Sequence, residues 1–135
     1  MGSKKEGYPD NNPKAVEGLK KPSIFVIPPA GLLHCGRAMQ DGRDKYGLMN
    51  WRERAVSTSV YLDASYRHLM AFADGENFSR DTVAKGRPVH HLGHVMACCA
   101  IVLDAMAIGK LVDDRPLPGA AADLIEQWTL GTKPK

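Results

Sequence analysis

The stretch that decides the fold runs from Val56 to Gly109 and reads VSTSVYLDASYRHLMAFAD, then GENFSRDTVAKGRP, then VHHLGHVMACCAIVLDAMAIG. Apolar residues recur in its first part with the spacing of an amphipathic helix, at Leu62, Tyr66, Leu69, Met70 and Ala73. The third part is almost wholly apolar after its three histidines, which is typical of a buried helix. The stretch therefore predicts two long helices joined by a polar loop.

The flanking segments predict fewer and shorter elements. Residues 1–21 are polar and without periodicity, so we interpret them as a flexible arm. SIFVIPP predicts a short extended run, and Pro28 and Pro29 are well placed to open a helix from about Ala30 to Gln40, with Gly42 as its stop. AAADLIEQWTL predicts a closing helix before the tail at residues 131–135. With no convincing strand pair, the fold class is all-α: one helical domain at 22–130, a small bundle of about four helices.

Composition limits the class of protein. The formal net charge is only +3, and Lys4, Lys5, Lys133 and Lys135 lie in the two ends, so a solvated tail is favoured over a nucleic-acid surface. Gly93, Asp104 and the histidines favour a buried helix over a membrane span. Three cysteines without a CxxC pair indicate buried thiols in a reducing cytosol.

Acids and histidines crowd the junction of the two long helices, namely Asp74, Glu76, Asp81, His91 and His94, with His68 one turn earlier. If the helices pack antiparallel, these side chains come together. Carboxylate and imidazole ligands suit Mg²⁺, Mn²⁺ or Zn²⁺. The alternatives remain open: His91 and His94 as core histidines, Glu76 and Asp81 as turn and cap residues, and His68 as an aromatic filler.

A second group of chemically useful residues precedes the first long helix. The segment DGRDKYGLMNWRERAV combines aromatic, amide and cationic side chains, at Lys45, Tyr46, Asn50, Trp51 and Arg52. A nucleotide site recruits such a mixture, and a surface loop with Trp51 covering the core is the alternative. Asp104 lies too far along its helix to share a metal with His94, and it needs a partner such as Arg67 or Arg115.

Five segments in order carry a resemblance to a known family: PSIFVIPPAGLLHCGRAM, KYGLMNWR, VYLDASYRHLMAFADGE, HHLGHVMACCAIVLDA and DDRP. Together they resemble the phage-associated dATP/dGTP diphosphohydrolase family from about Lys21 to Pro118. KYGLMNW, RHLMAFADGE and HLGH are the most specific pieces. The chain is also similar in kind to the MazG-like all-α nucleoside triphosphate pyrophosphohydrolases, which bind Mg²⁺ through an ExxE and a later ExxD motif.

The resemblance implies a purine deoxynucleoside triphosphate, dGTP or dATP, as substrate, cleaved to the monophosphate and pyrophosphate. It implies Mg²⁺ or Mn²⁺, a homo-oligomer (dimer or tetramer), and the cytoplasm of an infected bacterial host. The ligand motifs depart from the family pattern, because His91 and His94 replace the second acidic pair and Ala73 replaces one member of the first, leaving Glu76.

On this basis, residues are assigned to three roles. The expected metal ligands are Glu76, Asp81, His91 and His94, of which Glu76, Asp81 and His91 are also the expected catalytic residues. The expected substrate-binding residues are Lys45, Tyr46, Asn50, Trp51, Arg52, Arg67 and His68. Two other classes stay open, an HD-type nucleotide phosphohydrolase and a non-catalytic helical nucleotide-binding accessory protein, although the sequence holds no adjacent His-Asp pair.

Overall fold

The structure, a computed structural model, describes residues 11–131. Within them the elements in chain order are α1 (Pro13–Gly18), α2 (Pro29–Tyr46), a 3-10 turn (Asn50–Arg52), β1 (Val56–Ser57), α3 (Thr58–Ala73), α4 (Arg80–Ala84), α5 (His91–Ala107), β2 (Leu111–Val112) and α6 (Ala121–Trp128). Helices dominate, so the predicted all-α class is confirmed.

The hairpin of α3 and α5 forms the centre of the fold, as the apolar spacing predicted. Contacts at both ends show that the two helices run antiparallel: His68 meets His91 near the loop, and Val56 lies beside Leu111 at the far end. The side chain of His90 caps α5 by accepting a hydrogen bond from the Leu92 amide over 3.0 Å. The predicted polar loop also contains the short helix α4, which the sequence analysis did not anticipate.

Helix α2 is longer than predicted. It opens on Pro29 as expected, but it continues through Gly42 and ends at Tyr46, where Gly47 adopts a φ of 95°. A glycine inside a helix costs only about 1 kcal/mol, and packing of α2 against α5 outweighs that cost. The predicted stop at Gly42 was therefore wrong, and the end of α2 reaches the segment that carries Lys45 and Tyr46.

Two further expectations are corrected by the backbone. The SIFVIPP segment is not an extended strand, since the Ile27 amide bonds the Ile24 carbonyl over 3.0 Å in a turn. A strand pair does exist: β1 and β2 pair in parallel, with Val56 opposite Leu111. Each strand has only two residues, too few for an alternating pattern to be visible in the sequence.

Helices α2 and α5 are in close contact at Gly93. A Cβ atom at this position would lie 2.5 Å from the carbonyl oxygen of His34 on α2. Ala38, Val89 and Ala97 form a small buried cluster beside this crossing. Small side chains at the contact therefore let α2 lie directly on α5.

The ends of the chain differ in part from the predicted boundaries. Residues 1–10 and 132–135 of the predicted arm and tail lie outside the described residues. Of the remaining arm, Pro13–Gly18 forms α1, with Asn12 accepting a hydrogen bond from the Lys14 amide. Within residues 11–131, no helix combines the length and apolarity needed to cross a membrane.

Candidate functional site

A cavity of about 810 Å³ lies between the end of α2, the 3-10 turn, α3, α4 and α5. Its size falls within the range of small-molecule binding sites. Predicted site residues that line it are Lys45, Tyr46, Asn50, Trp51, Arg67, His68, Asp81 and His94. Three others, Arg52, Glu76 and His91, are not part of the lining. The structure thus brings most of the two predicted groups, loop and hairpin tip, to one cavity.

The cavity has two chemically different ends. Arg67, His68, Asp81 and His94 form a polar end near the loop between α3 and α5. Val60, Tyr61, Ala64 and Ile101 lie farther along the same helices and make the other end apolar. Because Tyr61 and His68 are seven residues apart on α3, the two ends are separated by about 10 Å.

A hydrogen-bonded series of three side chains runs from the loop to the cavity wall. The carboxylate of Glu76 accepts from Nε2 of His91 over 2.8 Å, and Nδ1 of His91 lies 2.8 Å from Nδ1 of His68. A neutral His91 that donates from Nε2 has an unprotonated Nδ1, so His68 must donate from its own Nδ1. Nε2 of His68 is then left as the ring nitrogen able to accept a proton.

Burial and neighbouring groups shift the pKa values of His68 and Glu76, the two ends of this series. Burial is the main reason that the pKa of His68 falls from 6.5 to about 4, and the nearby His94 and His91 lower it further. Hydrogen bonds from His91 and then Arg80 lower the pKa of Glu76, which keeps this carboxylate ionised. His68 is therefore an uncharged base at neutral pH.

His94 is fixed by a buried hydroxyl pair rather than by an acid. Its ring stacks on His68 with a centroid distance of 4.3 Å, and its Nε2 lies 3.0 Å from the hydroxyl of Ser79. The hydroxyls of Ser79 and Thr82 are 2.6 Å apart, and Thr82 also accepts from the Val89 amide. Ser79 and Thr82 thus orient one cavity ring, a role that the sequence analysis missed because neither residue stood out in its motif.

Lys45 lies between two carboxylates. Its ammonium is 2.9 Å from Asp41 and 3.3 Å from Asp81, and Lys85 also bonds Asp41. The hydrogen bond to Asp41 is the largest contribution to the raised pKa of Lys45. Partial burial alone would raise the pKa of Asp41, but its two lysine partners lower it. Asp41 was not predicted, although it would have been evident as an i,i+4 partner of Lys45 had α2 been extended past Gly42.

Trp51 and Arg52 are placed differently from the prediction. Trp51 is buried, with 6% of its surface exposed, and its Nε1 donates to Asp104 over 2.7 Å. Nε and Nη2 of Arg52 donate to the same carboxylate, each over 2.9 Å. Asp104 therefore pairs with Arg52, not with the predicted Arg67 or Arg115. Because Arg52 does not line the cavity and its Nε and Nη2 are engaged by Asp104, the geometry does not favour its predicted contact with substrate.

The four expected metal ligands do not meet at one point. Glu76 is engaged by His91 and Arg80, Asp81 by Lys45, and His94 by Ser79. Within residues 11–131, no group of three or more His, Cys, Asp or Glu side chains has a geometry that could hold a metal ion. The predicted set thus does not fit a single protein-held ion, and the arrangement is instead a network of hydrogen bonds and ion pairs.

Comparison with known proteins assigns the chain to a family. The model of the dATP/dGTP diphosphohydrolase N-terminal domain matches residues 11–115, well over half of the chain. The chain belongs to this family. Neither the comparison with curated proteins nor that with solved structures gives a match.

The matched segment contains every residue that lines the cavity and the chain of Glu76, His91 and His68. Helix α6 lies beyond it. In this member of the dATP/dGTP diphosphohydrolase family, the candidate site is therefore built entirely from the family domain.

Proposed function

We propose that this chain hydrolyses a purine deoxynucleoside triphosphate, dGTP or dATP, to the monophosphate and pyrophosphate. The observation that carries the proposal is the two-ended cavity, in which cations and imidazoles lie at one end and aromatic and apolar side chains at the other. The name of the family supports the same reaction. A triphosphate at the polar end and a base at the apolar end would match the chemistry of the lining.

Arg67 and Lys45 are the groups we assign to the phosphates. Within residues 11–131, the side chain of Arg67 makes no hydrogen bond or ion pair, so its guanidinium is available for bidentate contact with phosphate oxygens. Lys45 is held by Asp41 and Asp81 and would supply a positive charge at a fixed position. Together they would offset charge that develops on the departing pyrophosphate.

His68 is the residue we assign to proton transfer. A water molecule attacks a phosphorus atom at the α–β bridge, the bond to the bridging oxygen breaks, and the water proton passes to Nε2 of His68. His91 and Glu76 orient the ring through its Nδ1. The negative charge of a bound triphosphate raises the pKa of a nearby imidazole, which moves His68 from about 4 toward the working pH.

The base would be recognised at the other end of the cavity. Tyr46 is 70% exposed and offers a ring face for stacking, and Asn50 offers both a donor and an acceptor for a purine edge. Tyr61 adds a second ring at this end; burial raises the pKa of its hydroxyl, so it remains protonated and able to donate. Tyr46 and Asn50 were already expected to bind substrate, whereas Tyr61 takes the place of Trp51, which is buried.

Mg²⁺ or Mn²⁺ remains part of the proposal as a companion of the triphosphate. The residues expected to bind it do not converge, so no reaction step is assigned to an ion held by the protein alone. The proposed setting is the cytoplasm of a phage-infected bacterium, where free triphosphates are present.

The test is a product assay with the common ribo- and deoxyribonucleoside triphosphates, with Mg²⁺, with Mn²⁺ and with a chelator, resolved by anion-exchange chromatography. We expect a purine deoxynucleoside triphosphate to give monophosphate and pyrophosphate in the presence of a divalent ion. Nucleoside plus inorganic triphosphate would indicate HD-type chemistry instead. Absence of turnover with every nucleotide and both ions would overturn the proposed activity.

We also propose that the chain works as a homo-oligomer, a dimer or tetramer. Among the described residues, only Ala38, Trp51, Val89, Ala97 and Ala105 are buried hydrophobic side chains. Large apolar side chains on α3 and α5 remain exposed, including Tyr66 at 66%, Met70 at 68% and Leu103 at 64%. A single copy leaves this surface in water, and packing between copies would cover it. Light scattering should give a multiple of the chain mass; a monomer would contradict the proposal.

A further inference from the structure

The segment between α2 and β1 forms one wall of the cavity but has few connections to the rest of the fold. Residues 47–51, which are Gly47, Leu48, Met49, Asn50 and Trp51, all line the cavity. Met49 adopts a left-handed conformation with a φ of 48°, so the chain turns sharply here. The backbone hydrogen bonds of residues 50–54 stay within the turn, for example from the Arg52 amide to the Met49 carbonyl.

Asp104 supplies the connection that the backbone lacks. Its carboxylate accepts three hydrogen bonds from two consecutive residues of the turn, one from Trp51 and two from Arg52. Within residues 11–131, these are the only hydrogen bonds that join residues 48–54 to another element. The Arg52 pair has fork geometry, which fixes direction as well as distance. A carboxylate on α5 thus determines where the cavity wall lies.

We infer that Asp104 is a positioning residue for nucleotide recognition, which holds Asn50 and the rest of the 47–51 wall against the base end of the cavity through Trp51 and Arg52. The inference rests on the proposed function. It assigns to Arg52 a place behind the wall and no contact with phosphate. Asp104 does not line the cavity, so it acts only through the residues it holds.

Because the wall lies at the base end of the cavity, a change at Asp104 should affect binding of the nucleoside more than binding of the phosphates. Lys45, Arg67 and His68 belong to α2 and α3, and within residues 11–131 the carboxylate of Asp104 bonds Trp51 and Arg52 instead. Loss of the Asp104 carboxylate should therefore weaken contacts with the nucleoside part of the substrate and leave contacts with phosphates in place. A displacement of a few tenths of an ångström to 1 Å in a binding group is enough to reduce binding or rate strongly.

The experiment compares the dissociation constants of a purine deoxynucleoside triphosphate with a non-hydrolysable α,β-bridge and of inorganic tripolyphosphate, measured by calorimetry. Asp104→Ala should weaken nucleotide binding by about 10-fold or more, because three hydrogen bonds to a charged group are lost. Its affinity for tripolyphosphate should change by less than about 2-fold. In turnover, KM should rise more than kcat falls.

Three further variants separate positioning from general damage. Asp104→Asn keeps an oxygen acceptor for Trp51 but loses the paired hydrogen bonds to Arg52, so it should weaken nucleotide binding less than Asp104→Ala does. The same measurements can be made on Asp104→Asn if the alanine variant does not fold. Arg52→Ala should weaken nucleotide binding, and combining it with Asp104→Ala should add little. Asp113→Ala is the matched control, because Asp113 has the same fork with Arg115 but holds no cavity residue.

The outcomes distinguish the inference from the proposed function. Equal weakening of nucleotide and tripolyphosphate, or weakening of neither, would overturn the positioning role while leaving the proposed function standing. Wild-type protein that binds tripolyphosphate but no nucleotide would overturn both.

Discussion

Gly93→Ala should destabilise the protein more than any other single methyl addition at the described glycines. The new Cβ would lie 2.5 Å from the His34 carbonyl oxygen and 3.0 Å from the carbonyl carbon, and both belong to the backbone of α2. A backbone cannot rotate away as a side chain can, so α2 and α5 must separate. Such overpacking costs about 1–3 kcal/mol or more. We expect the melting temperature to fall by about 10 °C in thermal denaturation.

Gly36→Ala provides the matched control on the partner helix. A Cβ at Gly36 meets no atom within 4 Å, and the residue lies inside α2. Alanine has a lower conformational entropy cost in a helix, so this change should stabilise the protein by about 0.5–1 kcal/mol. If both variants shift the melting temperature in the same direction, the close crossing at Gly93 is not what holds the two helices together.

His68→Gln should reduce kcat by about 100-fold or more, the usual contribution of a general base. Glutamine has a similar length and can still donate toward His91, but its amide cannot take up the proton of the attacking water. Because phosphate contacts from Lys45 and Arg67 remain, KM should change much less. Steady-state kinetics on the purine deoxynucleoside triphosphate measure both parameters.

His34→Gln is the control for loss of an imidazole, since His34 is exposed and does not line the cavity.

A second readout for His68→Gln is the pH dependence of the free energy of unfolding. His68 becomes protonated near pH 6.5 in the unfolded chain and near pH 4 in the folded chain, so the unfolded state binds more protons between these values. Stability therefore falls as pH drops through this window, and His68→Gln should reduce the fall. A kcat within about 5-fold of wild type would remove His68 from the chemistry.

The long helices were predictable because their apolar spacing is strong and uninterrupted. The end of α2 was not, because Gly42 looks like a stop in sequence, and only packing against α5 shows that the helix continues to Tyr46. The β1–β2 pair leaves no recognisable pattern in the sequence. It joins residues far apart in the chain through the backbone of two short strands. Local sequence patterns were thus sufficient to predict an element with a long periodic apolar face. They were insufficient where contact with a distant part of the chain determines whether the element forms or where it ends.

For the site, residue types were easier to predict than partners. The sequence identified Asp104 as an acid in need of a partner and named Arg67 or Arg115, but the direction of the side chains in space selects Arg52. Likewise Glu76 and His91 were grouped correctly at the hairpin tip as neighbours. Their order, with His91 between Glu76 and His68, depends on the rotation of α3 about its axis relative to α5.

The cavity wall draws on five structural elements of one chain, from α2 to α5. A molecule that touches several of them at once can bind only when they are assembled, so its binding free energy is added to the free energy of unfolding. At a concentration 100 times its dissociation constant, such a ligand adds about 2.7 kcal/mol. The melting temperature therefore reports how tightly a ligand binds. The substrate, a competing nucleotide and an inhibitor can be ranked by the melting temperatures of their complexes, without a turnover assay.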